Sequence, residues 1–158
     1  MKPDLPVPAF SGVPSFTSVS ESYVANTFFP SLATSDFFLQ TAKDSIYRLA
    51  RFQANWDGFG SEKPESVAIQ RSVRLLQILH RNVQTTGLQW CDPHVSASED
   101  GNVTFEWWKG QLKLTLYIGP RSVEFIRVWG PNIESEMDDG VLHGDMFEWL
   151  WRWLHGQK

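Results

Sequence analysis

Residues 93–129 constrain the fold most tightly. Apolar and polar side chains alternate along four short segments, and a glycine-bearing turn separates each segment from the next. Alternation of period two sends successive side chains to opposite faces of a strand, and turns this short join antiparallel neighbours. The pattern predicts strands at Pro93–Ser98, Asn102–Trp108, Gln111–Ile118 and Ser122–Trp129, a four-stranded antiparallel meander.

Writing out the pairs predicts the register. A two-residue turn at Lys109-Gly110 sets Trp107 opposite Leu112, Phe105 opposite Leu114 and Val103 opposite Leu116, all on one face. The other face then pairs Glu106 with Lys113 and Thr104 with Thr115; a one-residue slip would destroy both sets. A three-residue turn with Gly101 in the left-handed region sets Ala97 against Val103 and Val95 against Phe105. A turn at Pro120-Arg121 carries the apolar face on through Ile118, Val123 and Phe125. It leaves Arg127 on the core side near the sheet's end, where it needs solvent or a carboxylate. The opposite face mixes Trp108, Tyr117, Ile126 and Val128 with Glu106, Lys113 and Glu124. Such a face calls for a partner or a cover.

Two helices precede these strands. Ser35 or Asp36 can cap the first, whose stripe Leu39, Ala42, Ile46 and Leu49 runs at helical spacing to an end near Gln53. Pro64 suits the first turn of the second, whose stripe is Ile69, Val73, Leu76 and Val83, with His80 at its edge as a packing residue. Thr85-Thr86-Gly87 ends it. A last helix begins near Gly144-Asp145, with Met146, Trp149, Leu150 and Trp153 on one face, Trp151 and Leu154 on another, and Glu148 placed to pair with Arg152. Residues 1–34 hold five of the nine prolines beside many serines and aromatics, which predicts an extended arm. The whole reads as an α+β fold: two N-terminal helices, the meander and a C-terminal helix, in one domain spanning residues 35–158.

A chain of 158 residues can bury about two-thirds of the surface that it exposes unfolded. A net charge of −4 argues against nucleic acid as a partner, since Lys109, Lys113, Arg121 and Arg127 would have to share a face to make a basic patch. No run reaches a membrane span, the N-terminus makes a poor signal peptide, and the lone Cys91 fits a reducing compartment, so the expected location is cytoplasmic. Eight tryptophans exceed what a core of this size needs, and tryptophan is enriched where proteins bind one another. The candidate binding residues are therefore Trp108 and Tyr117 on the mixed sheet face, Glu134, Glu136, Asp138 and Asp139 on an acidic loop over 130–140, and Trp149, Trp151 and Trp153 on the last helix.

Catalytic chemistry finds little footing. The four histidines and one cysteine lack ligand spacing, the loose set Asp138, Asp139, His143 and Asp145 lacks the spacing of a calcium loop, and neither metal nor cofactor is expected. Cys91 has His94 three residues on but no device that lowers its pKa. Asp57 and Glu106 are the one carboxylate pair that a small hydrolase could use, if the fold joined them.

Between the first two helices lies Asn55-Trp56-Asp57-Gly58-Phe59-Gly60. Asn55 and the glycines tolerate positive φ, Asp57 can accept backbone N–H groups, and Trp56 and Phe59 are expected to bury between the helices, making a structural corner. With Pro64, Pro93–Val95, Asp100-Gly101 and Glu106-Trp107, this stretch resembles a pattern common in small uncharacterised bacterial proteins, over roughly residues 45–130. The resemblance implies a shared fold and a bacterial or mobile-element origin, and no activity. The expected function is a non-catalytic protein-binding module in a bacterial or phage setting, such as an immunity, antitoxin-like or anti-defence factor. Self-association through the arm or the last helix is a further expectation. The alternatives are the hydrolase and an acidic nucleic-acid mimic, which would need carboxylates in rows rather than in one loop.

Overall fold

The computed structural model describes residues 32–157, with side chains from residue 39 onward. The expected arm lies outside the described residues except for Leu32–Thr34, which already belong to the first helix. The fold is α+β: helices α1 (Leu32–Leu49) and α2 (Ser66–Thr86), then strands β1 (His94–Ala97), β2 (Val103–Lys109), β3 (Leu112–Ile118), β4 (Val123–Val128) and β5 (Met137–Val141), then helix α3 (Met146–Leu154). The sheet runs β1-β2-β3-β4-β5, every pair antiparallel.

The fifth strand corrects the expected count of four, and it comes from the stretch expected to be an acidic loop. Met-Asp-Asp-Gly-Val is poor strand material by propensity, because aspartate and glycine are depleted in strands. Two tertiary contacts supply what propensity lacks. Asp138 lies opposite Arg127 and pairs with it at 2.9 Å, and Gly140 lies opposite Phe125. A Cβ on Gly140 would stand 3.0 Å from the Phe125 ring, so a bare backbone lets that ring lie flat.

Two of the three expected registers hold, with Ala97 opposite Val103, Val95 opposite Phe105 and Ile118 opposite Val123. Between β2 and β3 the chain turns at Gly110-Gln111, one residue later than expected. Trp107 faces Leu114, Phe105 faces Leu116 and Val103 faces Ile118. Gly110 at φ +61° is then the first central residue, the position that a II′ hairpin reserves for glycine. The correction moves partners by two residues, so every side chain keeps its expected face. Glu106 and Lys113 become diagonal neighbours and still meet at 2.6 Å.

The helices lie on the face of Phe105, Trp107, Leu114, Leu116 and Phe125. Ile46 of α1, Leu76 and Leu79 of α2, and Leu150 of α3 join these residues in one buried cluster. His80 is buried at its edge, against the Trp90 ring at 5.2 Å. Pro64 stands before α2 rather than in its first turn, and Glu65 is the N-cap. The segment leading into α2 is docked on the β1–β2 turn: Glu62 N–H donates to Glu99 O at 2.7 Å, and a Cβ on Gly101 (φ +74°) would lie 2.8 Å from Lys63 O. Only glycine allows that approach.

In α3 the expected face is corrected. Phe147, Leu150, Trp151 and Leu154 are buried, the i, i+3, i+4, i+7 stripe of an amphipathic helix. Trp151 is 0% exposed and stacks on Trp90 at 5.4 Å, edge-on to Trp107 at 5.7 Å. Trp149 is 47% exposed. Glu148 and Arg152 pair at 2.9 Å as expected.

Candidate protein-binding surface

Alternation along β4 and β5 builds two different sites back to back. On the helix side, Arg127 lies opposite Leu114 and Asp138. Its guanidinium stands 4.2 Å from the Trp149 ring centre, 5.3 Å from Trp129 and 5.4 Å from Trp153, while its Nε donates to Asp138 Oδ2 at 3.0 Å. Three of the expected binding residues, Asp138, Trp149 and Trp153, are thus gathered around one cation that β4 supplies. The faces of three rings and one carboxylate satisfy Arg127, a side chain that a core-facing strand position would otherwise penalise. This cluster holds α3 to the end of the sheet.

On the other side, cross-strand pairing lines up three rows. Ser96, Thr104, Tyr117, Glu124 and Val141 form the first; His94, Glu106, Thr115, Ile126 and Asp139 the second; Trp108, Lys113, Val128 and Met137 the third. Among the described residues no helix joins its buried core to this face. Thr104 and Thr115 are buried in its middle, whereas Trp108 is 54% exposed with Lys113 over its ring at 5.4 Å. Towards β5 the face hollows into a groove of about 360 Å³. Tyr117, Ile126, Met137 and Val141 supply its aromatic and apolar lining, and Asp100, Glu124 and Asp139 its carboxylates. The ion pairs among the described residues, Lys113–Glu106, Arg127–Asp138 and Arg152–Glu148, include none of those three acids. A concave surface that mixes apolar floor with unpaired charge suits an amphipathic protein segment better than a small apolar ligand.

The remaining expected binding residues separate. Glu136 closes its own loop by accepting the Asn132 N–H at 2.8 Å, while Glu134 stays exposed beside it. Trp151 belongs to the core, because its ring is the hub on which Trp90, Trp107 and Phe147 pack, and no partner can reach it. Asp138 and Asp139, adjacent in sequence, point to opposite faces of β5. Among the described residues no group of three His, Cys, Asp or Glu side chains is placed to hold a metal ion.

The hexapeptide is a corner closed by its own polar groups. Asn55, at φ +63°, donates its N–H to Ser61 O at 2.7 Å and accepts the Gly60 N–H on its side chain at 2.7 Å. Asp57 accepts the Phe59 N–H at 2.9 Å and, on its other oxygen, the Ser61 hydroxyl. The Ser61 hydroxyl, and next the Phe59 amide, hold the Asp57 carboxyl below its ordinary range. Trp56 lies on Phe52 at 5.0 Å and donates to Glu62 O at 3.2 Å. The expectation that Trp56 and Phe59 bury between the helices is corrected: Trp56 is 37% exposed and Phe59 93%. The loop is closed by hydrogen bonds, so it needs no buried ring at its tip.

The hydrolase pair is spent on separate partners, Asp57 on the corner and Glu106 on Lys113. Cys91 is exposed, yet desolvation by the protein around it, and then the Asp92 carboxylate, push its thiol up, away from the reactive thiolate. Burial likewise raises Asp92, against the Trp90 indole N–H, which donates to it at 2.8 Å.

Sequence reasoning named Tyr117 and Asp139 as binding residues and set Glu124 and Ile126 on the same mixed face as Tyr117, but missed that Met137 and Val141 complete the groove. Alternation on β4 carried the signal for Glu124 and Ile126, whereas Met137 and Val141 needed the unforeseen β5. Comparison with protein-family models, with curated proteins and with solved structures finds no match to this chain.

Proposed function

We propose that this chain is a non-catalytic protein-binding module that takes a basic, partly apolar segment of its partner on the outer sheet face. The reading rests on the groove across β3–β5, where Asp100, Glu124 and Asp139 stand unpaired around Tyr117, Ile126, Met137 and Val141. Carboxylates left without cations on a concave, partly apolar surface give a ligand both steering charge and area to bury. Trp108, exposed on the same face, offers a second anchor of the kind that dominates interface energetics. The resemblance of the corner motif to small bacterial proteins favours a bacterial or mobile-element setting, in which an immunity, antitoxin-like or anti-defence factor binds one dedicated protein.

The test is affinity capture from cells of the encoding organism with three baits: the natural chain, Asp139→Lys and Trp108→Ser. The expected result is a protein retained by the natural chain, released as salt rises, and lost or much reduced on both variants. A partner retained equally by all three baits refutes this surface. Turnover by the purified chain that requires Asp57 would support the hydrolase instead.

A further inference from the structure

One rim of the outer-face groove is an open edge of the sheet. Trp129 N–H donates to Glu136 O at 2.9 Å and Leu142 N–H to Val123 O at 2.8 Å, and between these ends Asp138 lies opposite Arg127 and Gly140 opposite Phe125. Opposed residues of an antiparallel ladder alternate between exchanging both hydrogen bonds and exchanging none. Asp138 and Gly140 therefore spend their main-chain groups on β4, and Met137, Asp139 and Val141 turn theirs outward. β5 is the last strand of the sheet, and among the described residues nothing takes up those outward N–H and C=O groups. At the other edge, β1 has α1 packed against it.

The three residues with an open backbone are also those whose side chains β5 gives to the groove. They stand in a row on one face: apolar Met137, acidic Asp139, apolar Val141. Asp139 and Val141 are exposed, and the Asp139 carboxylate has neither a hydrogen bond nor an ion pair among the described residues. A strand laid against this edge sets its own alternate side chains directly beside the row. Edges are commonly closed by lysine, proline or an inward-pointing charge. Met137–Val141 has neither lysine nor proline, and its inward charge, Asp138, is neutralised by Arg127 at 2.9 Å. The edge is nonetheless closed to a second copy. Two β5 strands paired along their whole length about a two-fold axis put Asp139 opposite Asp139, and like charges directly opposed destabilise a cross-strand pair. The occupant that this edge fits is a basic strand.

We infer that the partner's segment binds by strand addition. It lies antiparallel along β5 as a further strand and exchanges main-chain hydrogen bonds with Met137, Asp139 and Val141. It carries a lysine or arginine opposite Asp139 and apolar residues two places to either side. This rests on the outer-face reading proposed above and adds how the segment is held. The probe is a short end-blocked peptide in which valine, lysine and valine alternate with threonine, titrated into the isotope-labelled full chain and followed by amide NMR shifts. The natural chain should bind it with shifts centred on β5, and glutamate in place of the lysine should abolish binding. Methylating the lysine's backbone nitrogen removes the donor to Asp139 O and keeps the charge. Val141→Pro removes one outward N–H and leaves the ladder to β4 whole. Each should weaken binding about tenfold, the effect of one lost hydrogen bond, and Val141→Ala should cost less than Val141→Pro. The methylated peptide needs no variant to fold, so it decides the matter on the natural chain alone. If it binds as tightly as its parent while Asp139→Lys abolishes binding, strand addition is overturned and the groove stands. Binding indifferent to Asp139→Lys overturns both. A probe that leaves the natural chain unshifted overturns the strand, and affinity capture still judges the groove. A dimer of the natural chain that Val141→Pro dissociates also overturns the inference, because the edge then belongs to a second copy.

Discussion

Asp138 and Asp139 are adjacent in sequence and opposite in setting. Asp138 meets the Arg127 guanidinium at 2.9 Å, inside a cluster of three tryptophans that fastens α3 to the sheet. Asp139 lies across β5 in a groove with two further carboxylates and no cation. One strand therefore separates charge used for structure from charge left available to a ligand. The difference shows why acidic composition alone said little about function: the same residue type stabilises on one face and stays open on the other. Loss of the helix side should cost stability, and loss of the groove side should cost recognition.

The hardest break of that contrast is Trp151→Ala, on the helix side. Removing a fully buried indole should destabilise the domain by about 3–5 kcal/mol, measured by chemical denaturation. A loss under about 1 kcal/mol would return Trp151 to the surface. Next comes Arg127→Met, which takes the cation from Asp138 and from three rings at once. Its expected cost is about 1–3 kcal/mol with a change in tryptophan fluorescence, and a neutral result would make the cluster incidental.

Asp57 sharpens the contrast, because it too is a carboxylate spent on structure. Its folded pKa is depressed, so its contribution is present above the unfolded value, near 3.9, and is lost as pH falls through the folded value. Thermal melts from pH 6 down to 2 should therefore fall more steeply for the natural chain than for Asp57→Asn, which should be the less stable protein at pH 6 (~6, well above the carboxylate range). Parallel curves would remove Asp57 from the corner's stability. The smallest effect on stability belongs to the groove. Asp139→Lys should shift unfolding by no more than about 0.5 kcal/mol while weakening capture of the partner, and a large loss of stability would mean that Asp139 is structural after all.

Much of the sheet was legible in the sequence. Alternation placed Phe105, Trp107, Leu114 and Phe125 on the core face, and Gly101 and Pro120-Arg121 set two of the three expected turns. The third was misplaced by one residue because Lys109-Gly110 and Gly110-Gln111 both satisfy the alternation, and the II′ preference for glycine at the first central position decides between them. For the last helix, nearly every position is apolar, so periodicity could not select the buried stripe. Packing of Trp151 against Trp90 and Trp107 selected it. At the corner, Asn55 and Asp57 disclosed the hydrogen-bonded turn, but the exposure of Phe59 did not follow, since a phenylalanine on a short loop is ordinarily covered.

By itself the sequence determined the α+β class, the order of α1, α2, β1–β4 and α3, the faces of β1–β4 and the hydrogen-bonded turn between α1 and α2. These rest on period, turn chemistry and local hydrogen bonding, which act over a few residues. Only tertiary structure decided that Met137–Val141 pairs as a strand, because Arg127 and Phe125 of β4 provide what its propensity withholds. Only tertiary structure divided the acidic residues into paired and unpaired, and left Phe59 bare. Those outcomes depend on what lies opposite a side chain in space, and local sequence does not carry that information.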